Sequence, residues 1–169
     1  MIFPTAFITT LFLTQIARAV PQACYYPISP ELSTPDKTPE AQFHVTSPSI
    51  YTAKFNKRYD NAVGDVKGTA CPELAKQYPI FLDLPFFSDI GGAFDTTTNS
   101  SHCGAIWKLN NANNKTIKTY FLSIDTSVGT SFALSATTYS ALGGRPRADE
   151  SGDELFINAE IVGHLGACN

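Results

Sequence analysis

The chain has no CxxC pair, and its three histidines, His44, His102 and His164, stand far apart in the sequence. Zinc and related metals need clustered Cys, His or carboxylate ligands, and only His102 neighbours a cysteine, so no metal site is expected. No block of lysine and arginine occurs: 12 basic residues are set against 15 acidic ones, for a net charge of −3. Nucleic acids and anionic membranes recruit proteins through concentrated positive charge, so neither is expected as a partner. No nucleophile elbow supports Ser-His-Asp chemistry, no internal repeat is present, and no cofactor is expected. Beyond the first twenty residues there is no long apolar run.

What is there begins with "MIFPTAFITTLFLTQIARA". This apolar stretch ends in Ala17-Arg18-Ala19, the small-x-small pattern of a signal-peptidase site, and is too short and too early for a membrane span. Residues 1–19 therefore read as a signal peptide, and Val20 to Asn169 as a secreted, soluble chain of single-domain size. Four cysteines, Cys24, Cys71, Cys103 and Cys168, suggest two disulfides in such a compartment, with three connectivities open. That commits every thiol and leaves none for Cys-His catalysis. Two sequons, Asn99-Ser100-Ser101 and Asn114-Lys115-Thr116, fall in polar, turn-like sequence and are candidate glycosylation sites.

Residues 20–49 hold most of the prolines. Proline removes backbone donors and fixes φ, so this stretch reads as an extended arm without sheet or helix. Cys24 near its start implies that the arm is pinned to the body. From residue 50 to 169 the texture is that of a mainly β domain. "SIYTAKFN" alternates, with Tyr51, Ala53 and Phe55 on one side and Ile50, Thr52 and Lys54 on the other. "CPELAKQY" reads as one or two helical turns opened by proline. "GAIWKLN" and "TIKTYFLSID" read as strands joined by the turn "NANNKT", and "ELFINAEIV" as a last strand with Leu155, Ile157, Ala159 and Ile161 on one face. Between them, "SFALSATTYSALGG" reads as a helix: Ser135 is a cap, Leu134, Thr138 and Leu142 share helical spacing, and Gly143-Gly144 is the stop. Five or six short strands with two small helices make a barrel or a sandwich. The single tryptophan, Trp107, lies between Ile106 and Leu109 in an apolar strand and is assigned to the core.

Five blocks, in order, resemble the cerato-platanin family of small secreted fungal proteins: "KFNKRYDNAVGDVKGTAC", "IGGAFD", "HCGAIWKL", "LSIDTSVG" and "FALSATTYSALGG". The resemblance implies a six-stranded double-psi β-barrel with short helices, related to expansins and family 45 endoglucanases. It also implies a disulfide between Cys71 and Cys103. Ile106 stands where the family has a third cysteine, which normally pairs with the last one. The expected rescue is a bridge from Cys168 to the arm's Cys24. In the chain-entropy model so long a loop supplies ~4–5 kcal/mol. The alternative is that Cys24 bridges to a second molecule.

The resemblance further implies a secreted, non-enzymatic, cell-wall-associated protein, one that binds chitin-type oligosaccharides or loosens wall polysaccharides and acts as an elicitor, effector or allergen-like protein. Asp125, Thr126, Asn56 and Asp60 are the candidate carbohydrate-binding residues. Asn56 replaces a family aspartate, Ala133 replaces an asparagine, and the loop from Asp125 to Phe132 is one residue longer. Asp125 ends a strand that reads as buried, and it fits either a groove carboxylate or a cap on the backbone of "TSVG". Inverting glycoside hydrolysis needs a second carboxylate about 6.5–9.5 Å away. Asp60, Asp83, Asp89 and Asp95 all lie in turn-like sequence, with Asp83 and Asp89 assigned as turn formers. A weak wall-acting hydrolase using Asp125, and an effector that binds a host protein, are the alternatives. A monomer is expected. Tyr25, Tyr26 and Phe43 in the arm either pack on the barrel or cover part of the groove.

Overall fold

The computed structural model describes residues 24–27, 50–147, 149 and 152–166. The leader, most of the arm including Phe43, the side chains of Tyr25 and Tyr26, and the expected Cys24–Cys168 bridge lie outside the described residues. The strands are β1 (Cys24–Pro27), β2 (Ile50–Phe55), β3 (Ile90–Ala93), β4 (Ala105–Asn111), β5 (Lys118–Thr126), β6 (Ser131–Leu134) and β7 (Leu155–Gly166). One α-helix, α1 (Ala136–Ala141), follows β6, and four short 3-10 helices lie between β2 and β3.

The sheet runs β7-β2-β6-β3-β5-β4 and closes through pairing of β4 with β7, giving a six-stranded barrel. Closure removes the exposed edges that an open sheet of this size would leave. The pairs β2–β6 and β3–β5 are parallel, and the remaining barrel pairs are antiparallel. β7 is twelve residues long and pairs β2 along its first half. Along its second half it pairs the seventh strand, β1, with Cys24 opposite Gly166. The arm therefore contains a strand where the proline content argued against one. "CYYP" is a proline-free run up to its last residue, so it can complete a short ladder before proline ends it.

Two apolar clusters flank the sheet, and alternation along the strands feeds both. Trp107, Leu109 and Phe121 point into the first, with Phe132 at its centre. Tyr51, Phe94, Trp107 and Phe121 meet the Phe132 ring edge-on at 5.2–5.8 Å, the geometry that aromatic quadrupoles favour. Ile106, Leu122 and Ile124 point the other way, onto Tyr59, Val66, Tyr78, Phe81 and Leu84 from the excursion between β2 and β3. That excursion roofs the second face, which is why residues 121–125 of β5 are buried on both sides. Ile106, at the position of the missing family cysteine, fills this second cluster. A bulge in β7 opposite Ile106 and Trp107 shifts the strand's facing, so Leu155, Ala159 and Ile161 pack on the first cluster but Val162 and Leu165 on the second.

Two elements differ from the sequence reading. "IGGA" is a fully buried strand, β3, which was not assigned from its sequence. A Cβ on Gly91 would sit 2.4 Å from the Ala133 carbonyl oxygen, and one on Gly92 2.6 Å from that of Thr126. The glycines are there to let neighbouring backbone approach, a reason no local pattern displays. The segment expected to be one helix is split: Ser131–Leu134 is strand β6, and only Ala136–Ala141 is helical. Ser135 does cap it, accepting from Thr138 N, and Gly143 takes φ +90° just past its end. Leu134 has helical spacing because its neighbours in sequence do, but its backbone is claimed by β2 and β3.

Candidate functional site

Asp125 closes β5 and is only 6% exposed. Oδ1 accepts hydrogen bonds from Ala70 N at 3.0 Å and Thr126 N at 2.9 Å. Oδ2 accepts from Arg58 Nη1 at 2.8 Å and from the Tyr59 hydroxyl at 3.4 Å. Arg58 Nη2 also donates to the Gly68 carbonyl. Burial, reinforced by the Asp125 charge, pushes the Tyr59 phenol above its ordinary range, so it stays a neutral donor. One carboxylate thus ties the strand end to both the 57–60 helix and the chain entering Cys71. Cys71 is bonded to Cys103 with Cα atoms 5.4 Å apart, the pairing that the resemblance implied.

The other candidates are dispersed around this tie. Asp60 is exposed, and its Oδ1 accepts from Ala136 N at 2.8 Å, at the start of α1. Thr126 is exposed and donates its amide to Asp125. Asn56 accepts from Arg58 N at 3.0 Å as the cap of the 57–60 helix. Asp89 accepts from the Thr138 hydroxyl, and Asp83 ends the 81–83 helix. Trp107 is buried in the first cluster.

An open groove of about 370 Å³ lies between the end of β2 and the loop joining β5 to β6. Asn56 lines it, together with Thr52, Ser127, Thr130 and Ser131; Asp60, Asp125 and Thr126 do not. A Lys54–Glu154 ion pair at 3.4 Å marks one edge. Val128, 90% exposed, stands in the groove-forming loop. The lining mixes hydroxyl and amide groups with the apolar Phe55, Val128, Phe132 and Ala133, and its one cation and one anion balance. Its signal in the sequence is the small-polar run "TSVGTS", in which only Thr126 was singled out.

A second polar cluster joins two residues seven apart in the β3–β4 loop to one on β7. His102 Nδ1 lies 2.9 Å from Asp95 Oδ2, beside the Trp107 ring. Burial raises the Asp95 carboxyl, while the His102 charge acts to lower it. On β7, His164 is pushed below the ordinary imidazole range by burial, and then by the charge of His102. Among the described residues no group of three His, Cys, Asp or Glu is placed to hold a metal ion.

The His164 shift has a sign that can be checked. A base whose folded pKa is depressed contributes stability above its unfolded pKa, and loses it as pH falls. Below about pH 6.5 the unfolded chain takes up a proton that the fold resists, costing up to about 1.4 kcal/mol per pH unit. Thermal unfolding from pH 7 to 5 is expected to show a smaller fall in Tm for His164→Gln than for the parent. Parallel curves would mean that His164 is not the group responsible.

A closed six-stranded barrel with two parallel strand pairs and a disulfide-tied excursion is a small double-psi β-barrel. No protein-family model matches the chain, and no curated protein matches it. Solved structures do. It is similar to cerato-platanin 2 from M. perniciosa at 23% identity and a TM-score of 0.57, over 68% of this chain and 94% of that one. Cerato-platanin 1 from the same organism matches at 27% identity and 0.56, over 66% and 94%. The fungal elicitor Cerato-Platanin matches at 24% and 0.53, over 66% and 90%. The chain shares the fold of these cerato-platanin structures and is similar to them along most of their length.

Proposed function

We propose that this is a secreted, non-catalytic protein that acts at cell walls by weak binding of chitin-type oligosaccharides, and that it is perceived by a host as an elicitor or effector. The observation that carries the reading is the groove: an open, charge-balanced trough lined by hydroxyl and amide groups alternating with apolar ones, which suits a neutral sugar whose hydroxyls donate and accept and whose C–H faces are apolar. Its aromatic residues, Phe55 and Phe132, are buried in the core, so no exposed ring stacks on a sugar face and affinity is weak. The likeness to the fungal elicitor Cerato-Platanin supports the host-directed part.

The non-catalytic part is supported by how Asp125 is used. Its two oxygens already accept four hydrogen bonds, and one donor is a guanidinium. A general base needs a lone pair free to take a proton, and on this carboxylate four donors already hold the two oxygens.

Titration with chitin oligomers, followed by amide NMR, tests the reading. Shifts are expected at Thr52, Asn56 and Ser127–Ser131, with Thr52→Ala/Thr130→Ala weakening binding roughly 5–30-fold at about 1 kcal/mol per lost hydrogen bond. No shift at millimolar ligand, in protein with its disulfides intact, would exclude a glycan groove and move the search to protein partners.

A further inference from the structure

The two sequons, which the groove does not use, are placed very differently by the fold. Asn114-Lys115-Thr116 forms the tip of the β4–β5 hairpin, and all three residues are exposed. Asn111 Oδ1 accepts from Asn113 N and Asn114 N, which sets the turn. Asn114 Oδ1 in turn accepts from Thr116 N at 3.2 Å and from the Thr116 hydroxyl at 2.7 Å. These bonds use the amide oxygen and leave the Nδ2 edge of an exposed side chain facing water. The turn rests mainly on bonds spanning two or three residues, so it forms as soon as this segment is made.

Asn99 is exposed as well, but its backbone is left-handed, at φ +63°. It sits in a succession of tight turns, with Ser100 N donating to Thr97 O and Cys103 N to Ser100 O. Four residues on, Cys103 is crosslinked to Cys71. Ser100 accepts from Thr97 N, so the loop's local bonding is spent on its own closure.

We propose that Asn114 is the N-glycosylated residue of this chain and that Asn99 is left bare. The inference rests on the secretion included in the proposed function. In the transfer, Asn114 Nδ2 attacks the anomeric carbon of a lipid-pyrophosphate-linked oligosaccharide. The nitrogen–carbon bond forms, the carbon–oxygen bond to pyrophosphate breaks, the lipid pyrophosphate leaves with the electron pair, and the amide nitrogen gives up one proton. The hydrogen bond from the Thr116 hydroxyl to Asn114 Oδ1 holds the amide in position for that attack.

The location has a consequence for the groove. Asn114 precedes β5, whereas the groove loop follows it, and the eight steps of this nine-residue strand, at about 3.3 Å each, put roughly 26 Å between its two ends. Asn99 follows β3, which runs parallel to β5 with Ala93 beside Thr126, so its loop leaves the sheet at the same end as the groove loop.

The test is secretion of the full chain, leader included, from a yeast host. Intact mass is measured before and after peptide-N-glycosidase in heavy-oxygen water, which marks each released site as labelled aspartate. One glycan is expected, with the label at Asn114. Asn99→Gln should keep it and Asn114→Gln should lose it. Because Asn114→Gln also disturbs the turn, Thr116→Ala and Thr116→Ser form a second pair: the first loses the glycan and the second retains it. Secreted protein that starts near Val20 but carries a bare Asn114, or a glycan on Asn99, overturns the assignment alone. Protein held inside the cell with its leader uncut overturns the secretion reading and this inference with it, and the N-terminal sequence tells the two failures apart.

Discussion

Asp125→Ala is expected to lower stability by about 3 kcal/mol, the low end for breaking a buried ion pair because Arg58 is 48% exposed and recovers some hydration. The loss has two sources. Two backbone donors, Ala70 N and Thr126 N, are left without their acceptor, at about 1–3 kcal/mol for each that water cannot reach. The Arg58 guanidinium and the Tyr59 hydroxyl lose their shared oxygen as well. At roughly 2–4 °C per kcal/mol for a chain of this size, Tm falls by about 6–12 °C. Asp125→Asn should fall between the two, because either orientation of its amide turns an NH2 towards a donor. Circular dichroism melts at neutral pH read the effect directly. A variant as stable as the parent would mean that the tie is not structural, and would reopen a binding or catalytic role for this carboxylate.

The second large effect is expected from the disulfide. Cys71 and Cys103 are separated by 32 residues, and opening a loop of that length releases about 3–4 kcal/mol of unfolded-chain entropy in the chain-entropy model. Cys71→Ala/Cys103→Ala is therefore expected to melt about 6–16 °C lower under non-reducing conditions. The bond holds the excursion carrying Tyr59, Val66, Tyr78 and Phe81 against the second face of the sheet. A loss under about 1 kcal/mol would show that those side chains hold it without the crosslink. Ala70, which donates to Asp125, is the residue before Cys71. The two ties therefore secure the same stretch of backbone, and the combined variant should lose less than the sum of the separate losses.

Much of the fold was legible from local pattern. β2, β4, β5 and β7 each alternate or run apolar over enough residues to declare themselves, and Ser135 and Gly143 mark the ends of α1 through chemistry confined to the helix termini. The order of the five blocks carried the resemblance to cerato-platanins, and with it the Cys71–Cys103 pairing. β3 was not legible, since "IGGA" is short and half glycine, and its glycines answer to carbonyl groups about 40 residues away. β6 was hidden for a related reason: a four-residue strand next to a helix borrows the helix's spacing. Strand β1 was masked by the prolines around it.

The candidate site divides along the same line. The sequence by itself determined which residue types are available: one strand-ending aspartate, a run of small hydroxyl residues, two sequons and four cysteines. It also determined their order, because local conformation depends on near neighbours. Only the tertiary structure decided what each residue does. It turned Asp125 inward onto Arg58, Tyr59 and Ala70, set Asp95 against His102, and built a groove from strands β2 and β6 with the "SVGT" loop that joins β5 to β6. It also set the two sequons at opposite ends of β5. The physical reason is barrel closure. Residues far apart in sequence become neighbours when six strands wrap into one sheet, and burial and charge pairing then fix their roles.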